Sequence, residues 1–155
     1  MQRIAIFPGS FDPITIGHEQ LVRRALPLFD AITIVVGVNV RKQYHFPLEQ
    51  RIEWIRRTFA DLPQVSVDTC SELTVDYCRQ HQVGFILRGL RNANDYAYEA
   101  ETAKVNNLLY PAVETVMMLS NTDAEVVSSS TVRELIAFGR DVRPFLPQAI
   151  RSDFA

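Results

Sequence analysis

Five short runs of apolar, largely β-branched residues are separated by longer stretches with helical spacing, and this alternation constrains the chain more than any other feature. The runs lie at 4–7, 31–38, 65–67, 84–87 and 115–119. Several read as apolar on both faces, as central parallel strands must be when helices cover both sides of the sheet. Between them, Leu21, Val22, Ala25 and Leu28 fall at helical spacing. Leu48, Ile52, Ile55 and Phe59 form a second stripe, with Pro47 suited to its first turn. Helices are also expected over 74–80 and 95–109. Thr131 and Glu134 have the spacing of a capping box, with Gly139 as the stop. The residues from 144 onward read as a small helix and a loose tail. Strands alternating with helices predict an α/β fold: one five-stranded parallel sheet with right-handed crossovers. The 155 residues are enough for one domain, 1–155.

Composition removes several function classes. With 47% apolar residues, 22% charged and a net charge of −2, the chain is not of the disordered type. Nor can it present the broad basic face on which nucleic-acid binding relies, so no nucleic-acid partner is expected. An anionic ligand must be held by a local cluster of cations. No run approaches the ~20 apolar residues of a membrane span, and positions 4–7 are too short for a signal-peptide core. A cytoplasmic protein is expected. Cys70 and Cys78 have neither C-x-x-C spacing nor zinc-type histidine partners, and both are expected to be buried thiols.

Ligands of open α/β sheets sit beyond the carboxyl ends of the strands, so those segments carry the functional reading. The first run leads into Ser10, Gly17 and His18 at the start of a helix, where outward N–H groups favour an anion. The same residues also suit a plain turn with His18 as a cap. Lys42 follows the second run. Arg88 and Arg91 follow the fourth, and guanidinium groups grip phosphate oxygens in pairs; a surface arginine pair is the alternative. Ser128, Ser129, Ser130 and Thr131 open the last helix, either as a second anion site or as a serine-rich cap. The pairs Arg23-Arg24 and Arg56-Arg57 read as solvated helix faces, His81 as surface, and Trp54 as packing at a helix–sheet seam. No nucleophilic cysteine, metal-ligand cluster or paired acids joins the strand ends. Such a site suits phosphoryl or nucleotidyl transfer, in which positioning and charge neutralisation supply most of the rate.

The segment FPGSFDPITIGH at 7–18, RGLR at 88–91, Asp95-Tyr96-Ala97-Tyr98-Glu99 and VSSST at 127–131 together resemble bacterial phosphopantetheine adenylyltransferases. These belong to a nucleotidyltransferase superfamily marked by a (H/T)-x-G-H motif. The resemblance implies a single Rossmann-like dinucleotide-binding fold. It also implies transfer of AMP from ATP to 4′-phosphopantetheine, giving dephospho-coenzyme A and pyrophosphate with Mg²⁺, in a cytoplasmic homohexamer. Coenzyme A is a candidate feedback ligand. By the same resemblance the catalytic residues are His18, Lys42 and Arg88, and the acceptor contacts Ser10, Lys42, Thr74 and Arg88. The ATP contacts are Ser10, Phe11, His18, Gly89, Leu90, Arg91, Glu99, Ala124, Glu125, Val126, Val127, Ser128, Ser129 and Ser130.

The chain departs from the family pattern in three places. Ile16 stands where Asn is usual, Thr74 where an apolar residue is common, and Ala124 where an aromatic is usual. Two rival functions are a related nucleotidyltransferase acting on nicotinamide mononucleotide or glycerol 3-phosphate, and a non-catalytic nucleotide or coenzyme A sensor.

Overall fold

Every apolar run becomes a strand, and most of the strands extend further than the apolar residues do. The structure, a computed structural model, describes residues 1–121 and 127–155. The strands are β1 (Ile4–Gly9), β2 (Ala31–Gly37), β3 (Val65–Cys70), β4 (Phe85–Leu90) and β5 (Glu114–Leu119). The helices are α1 (Ile16–Ala25), α2 (Leu48–Thr58), α3 (Thr74–Gln80), α4 (Ala93–Leu109) and α5 (Ser129–Ala137). Pro8 and Gly9, expected to end the first strand, remain paired to Val35 and Val36. Arg88, expected just after the fourth strand, lies within it opposite Met117. Backbone pairing, not side-chain polarity, decides where a strand stops.

All four strand pairings are parallel, in the order β3-β2-β1-β4-β5. The chain leaves the β3 edge and returns beside β1 as β4, so the order reverses between β1 and β4, where such sheets bind ligands. The β1–β4 register holds at Ala5↔Phe85 and Ile6↔Ile86, yet both strands continue, to Gly9 and to Leu90. Pro8 has no N–H to extend the ladder. Its carbonyl instead accepts from Arg88 Nη1 at 2.7 Å. The sheet therefore forks at its carboxyl end.

Side chains alternate between two apolar clusters, one on each sheet face. Ala5, Phe7, Ile32, Ile34, Val36 and Leu87 pack with α1, α2 and α5, whereas Ile6, Val35 and Ile86 pack with Val75 and Cys78 of α3. Cys78 is buried as expected; Cys70 is only half-buried, at the edge of a cavity. Helix α4 buries only Glu99 and exposes Tyr96, Tyr98, Val105, Leu108 and Leu109. Among the described residues no helix is long and apolar enough to cross a membrane.

Two local expectations are corrected. The last helix starts at Ser129, with Ser128 Oγ accepting from Thr131 N at 3.1 Å, so Thr131 lies inside the helix and does not open a capping box with Glu134. The C-terminal tail is not loose. It forms 3₁₀ turns at Arg143–Phe145 and Gln148–Phe154, and Asp153 accepts from the Trp54 indole N–H at 2.8 Å and from Arg57 at 2.7 Å. Phe154 sits 4.9 Å from the Trp54 ring. A buried indole needs an acceptor, and here the tail supplies it.

Candidate active site

The capping box of this fold is at the start of α1. Thr15 is the N-cap; its hydroxyl accepts from His18 N at 3.4 Å, and its own N–H donates to His18 Nδ1 at 3.0 Å. His18 thus takes the place that Glu or Gln usually holds three residues past the cap. The cap reading of this histidine holds, and it is compatible with the ligand reading, because capping uses Nδ1 and leaves Nε2 unused by the cap. An acceptor role at Nδ1 fixes the tautomer with its proton on Nε2. The ring packs against Phe11 at 4.8 Å and Phe7 at 5.8 Å. Burial, then the positive charges of Arg88 and Arg91, push its pKa down to about 3, so the imidazole is neutral. Phe11 is buried in the left-handed region at φ 47°, which turns its ring under His18.

Arg88 stands at the fork between β1 and β4. Its guanidinium makes two bonds to Glu99, Nε to Oε2 at 2.9 Å and Nη2 to Oε1 at 2.7 Å, besides the bond to Pro8 O. Glu99 is 7% exposed, so the pair is fixed and partly desolvated. On one side of Arg88 lies a cavity of ≈ 210 Å³ lined by Gly17, His18, Gly89, Arg91, Ser128 and Ser129 among others. On its other side lies a cavity of ≈ 280 Å³ reached by Ser10, Cys70, Thr74 and Asn106. Arg88 and Glu99 line both. Arg91 is held by Asp95, whose carboxylate is drawn below its ordinary range by the Arg91 backbone and side-chain bonds against the opposing effect of burial.

The other expected site residues are placed differently from one another. Lys42 Nζ donates to Ser10 Oγ at 3.1 Å, which puts its charge beside the second cavity. Val127 joins Ser128 and Ser129 on the first cavity, and the Ser129 hydroxyl donates to Pro13 O at 2.7 Å. Ser130 points elsewhere and accepts from Arg133 at 3.0 Å. Leu90 is buried and lines neither cavity. Ala124, Glu125 and Val126 lie outside the described residues.

Sequence reasoning missed two arginines. Arg24, expected to be solvated, lines the first cavity and donates to Leu119 O at 2.8 Å. Its spacing of i, i+4, i+7 with Gly17 and Leu21 carried the signal. Its neighbour Arg23 is bound to Glu19 and Asp61, and Arg57 to Asp153, so neither is a free surface charge. Arg51 is 2% exposed and donates to Ser10 O at 2.8 Å and Phe46 O at 3.0 Å. It sits on the apolar stripe of α2, and an arginine there was the available clue.

The arrangement sets one cavity on each side of a fixed guanidinium, with a neutral imidazole lining the first, a layout suited to anionic groups. A family model described as cytidylyltransferase-like matches residues 6–135. The chain is 44% identical to the phosphopantetheine adenylyltransferase of Phocaeicola vulgatus, over 97% of this chain and 99% of that one. It is 46% identical to the enzyme of the same name from Flavobacterium johnsoniae, over 96% and 97%, and 44% identical to that of Rubrobacter xylanophilus, over 95% and 90%. In fold it matches a structure described as a nicotinate-nucleotide adenylyltransferase of Vibrio parahaemolyticus, with TM-score 0.67, 17% identity and 99% of each chain covered. The family model over most of the chain and the near-full-length likeness to these enzymes place the chain in the phosphopantetheine adenylyltransferase family of cytidylyltransferase-like nucleotidyltransferases.

Proposed function

We propose that this enzyme transfers AMP from ATP to 4′-phosphopantetheine, giving dephospho-coenzyme A and pyrophosphate. The observation that carries the reading is Arg88, whose single guanidinium lines both cavities. ATP occupies the cavity with His18, Arg91, Ser128 and Ser129, and the acceptor's phosphate sits by Ser10, Lys42 and Arg88. An oxygen of that phosphate attacks the α-phosphorus in line, and the bond from that phosphorus to the bridging oxygen breaks, releasing pyrophosphate. Phosphate is already a nucleophile, so no covalent enzyme intermediate is needed. Two multiply charged anions must meet, and Lys42 and Arg88 offset their repulsion. His18 Nε2–H donates to an α-phosphate oxygen as charge shifts onto it. Thr74, at the mouth of the second cavity, contacts the pantetheine arm.

Mg²⁺ enters as the counter-ion of the ATP phosphates. Among the described residues no three His, Cys, Asp or Glu side chains converge into a metal site, so no protein cage for it is proposed. Coenzyme A carries the same pantetheine arm and competes for the second cavity as a feedback ligand. The exposed apolar side chains of α4 support a homo-oligomer, and the hexamer of the family is the assembly proposed, acting in the cytoplasm. Pyrophosphate release from ATP, measured with each acceptor in turn, tests the reading. Turnover is expected with 4′-phosphopantetheine. Turnover only with nicotinamide mononucleotide or glycerol 3-phosphate, or with none, would overturn it.

A further inference from the structure

Lys42 lies on the loop between β2 and α2 and is exposed, yet its ammonium is held at one place, on Ser10 Oγ. An exposed lysine has four rotatable bonds and no reason of its own to stay there. What holds it is a set of contacts beneath the loop that the reaction itself does not use. Asp12, 3% exposed, accepts from His45 N at 2.8 Å with Oδ2 and from Phe46 N at 2.9 Å with Oδ1. Arg51 ties Phe46 O to Ser10 O, so the far end of the loop and the lysine's own acceptor share one guanidinium. The Arg51 guanidinium also lies over the Tyr44 ring at 4.1 Å, and the Lys42 ammonium is 5.3 Å from the same ring. The Tyr44 hydroxyl closes the near end, accepting from Asn39 N at 2.9 Å and donating to Gly37 O at 3.1 Å.

From this geometry we infer that Asp12, Arg51 and Tyr44 are positioning residues for Lys42, fixing its ammonium where the acceptor phosphate docks. Asp12 lies inside the segment of 7–18 that leads to His18, and it touches neither cavity. Its carboxylate pins the Lys42 loop to the β1–α1 turn, while Arg133 Nη1 donates to Asp12 O at 2.8 Å and anchors that turn to α5. Burying an aspartate and an arginine is unfavourable unless their bonds are all made. Here the cost is offset by ordering one cation. Burial lowers the Arg51 pKa, and the Asp12 charge acts in the opposite direction, as expected for facing charges in one network.

The inference rests on the proposed acceptor phosphate, so its test has one arm with turnover and one without. Asp12→Asn keeps the shape and loses one of the two loop acceptors. The KM for 4′-phosphopantetheine is expected to rise about tenfold, the loss of one well-placed charge-assisted bond, with the KM for ATP changed less than about twofold. Added to Lys42→Ala, the same change is expected to raise the acceptor KM no further; an additive rise would overturn the inference. Tyr44→Phe carries the same test if Asp12→Asn does not fold, with an expected rise of roughly threefold. The second arm uses the chain's two lysines, Lys42 and Lys104. With lysine Cε labelled by ¹³C, relaxation is expected to show Lys42 more ordered than Lys104 in the wild type, and equally mobile in Asp12→Asn. Unchanged order at Lys42 would overturn the inference. A wild type that does not turn over 4′-phosphopantetheine would sink the proposed function alone, and the relaxation arm would still decide this one.

Discussion

Replacing His18 by alanine isolates what a neutral imidazole does here. Thr15 N–H occupies Nδ1 and the pKa sits near 3, so the wild-type side chain offers one N–H at Nε2 and no positive charge. Loss of one preorganised donor to a developing oxyanion costs about 3–4 kcal/mol, or roughly 10²–10³ in kcat. In the proposed site, ATP binding rests more on Arg88, Arg91 and the serines, so the KM for ATP should change less than about fivefold. Part of the loss is structural, because the variant also loses half of a capping box, about 1 kcal/mol of stability. Assays well below the melting transition separate the two effects. The pH dependence discriminates further. The acceptor phosphate itself titrates near pH 6 and bends the rate in both proteins. A neutral donor contributes no bend of its own, so the ratio of wild-type to His18→Ala kcat should be constant from about pH 5.5 to 8. A kcat within fivefold of wild type, or a ratio that falls tenfold per pH unit above 6.5, would refute the reasoning; the latter would mean that an imidazolium does the work.

The same histidine makes stability depend on pH. The unfolded chain takes up its proton near pH 6.5 and the folded chain only near pH 3, so stability is full above 6.5 and is lost as the pH falls between those values. The cleft is partly solvated, so the loss is expected to be roughly 1–3 kcal/mol, read by denaturant titration and absent in His18→Gln. Arg88→Ala leaves Glu99 buried without its partner and should cost about 2–4 kcal/mol, read as a melting temperature lower by roughly 5–12 °C. It should also raise the acceptor KM and lower kcat; an unchanged acceptor KM would remove Arg88 from that phosphate. Arg24→Ala should raise the KM for ATP about three- to tenfold without altering the acceptor KM, since Arg24 lines only the first cavity. Phe154→Ala should destabilise by about 2 kcal/mol, measured by denaturant titration, because its ring packs on Trp54.

The sheet was legible because fully buried parallel strands have to be apolar on both faces, and the runs at 4–7, 31–38 and 84–87 are. Its strand ends were not, because hydrogen-bond pairing carries Pro8, Gly9, Arg88 and Gly89 into the ladder although they lack strand character. Residues that touch the cavities directly, such as His18, Arg88 and Ser128, lie between a strand's carboxyl end and the first turn of the following helix, where a reading of strand ends looks for them. Residues that act through carbonyl oxygens could not. Arg51 bonds Ser10 O and Phe46 O, and nothing in a one-dimensional pattern marks a carbonyl as an acceptor. The misplaced cap has a similar origin. Ser128 and Thr131 are both good N-cap residues, and the choice between them was settled by where the helix meets the β1–α1 turn through Ser129 and Pro13. The C-terminal tail was underestimated because its anchor, the Trp54 indole, is ninety-nine positions away in sequence.

The forked sheet has a mechanical consequence. Up to Ile6 and Ile86 the five strands are stitched into one laminate, and beyond that point β1 stays bonded to β2 while β4 stays bonded to β5. The two halves share no ladder bond beyond that point, and among the described residues side chains tie them: Arg88 reaches from β4 to Pro8 O, and Arg24 reaches from α1 to Leu119 O. An increase in gap width therefore strains those side-chain contacts and leaves the strand ladders intact. A cleft built this way can widen and still return to the same strand register.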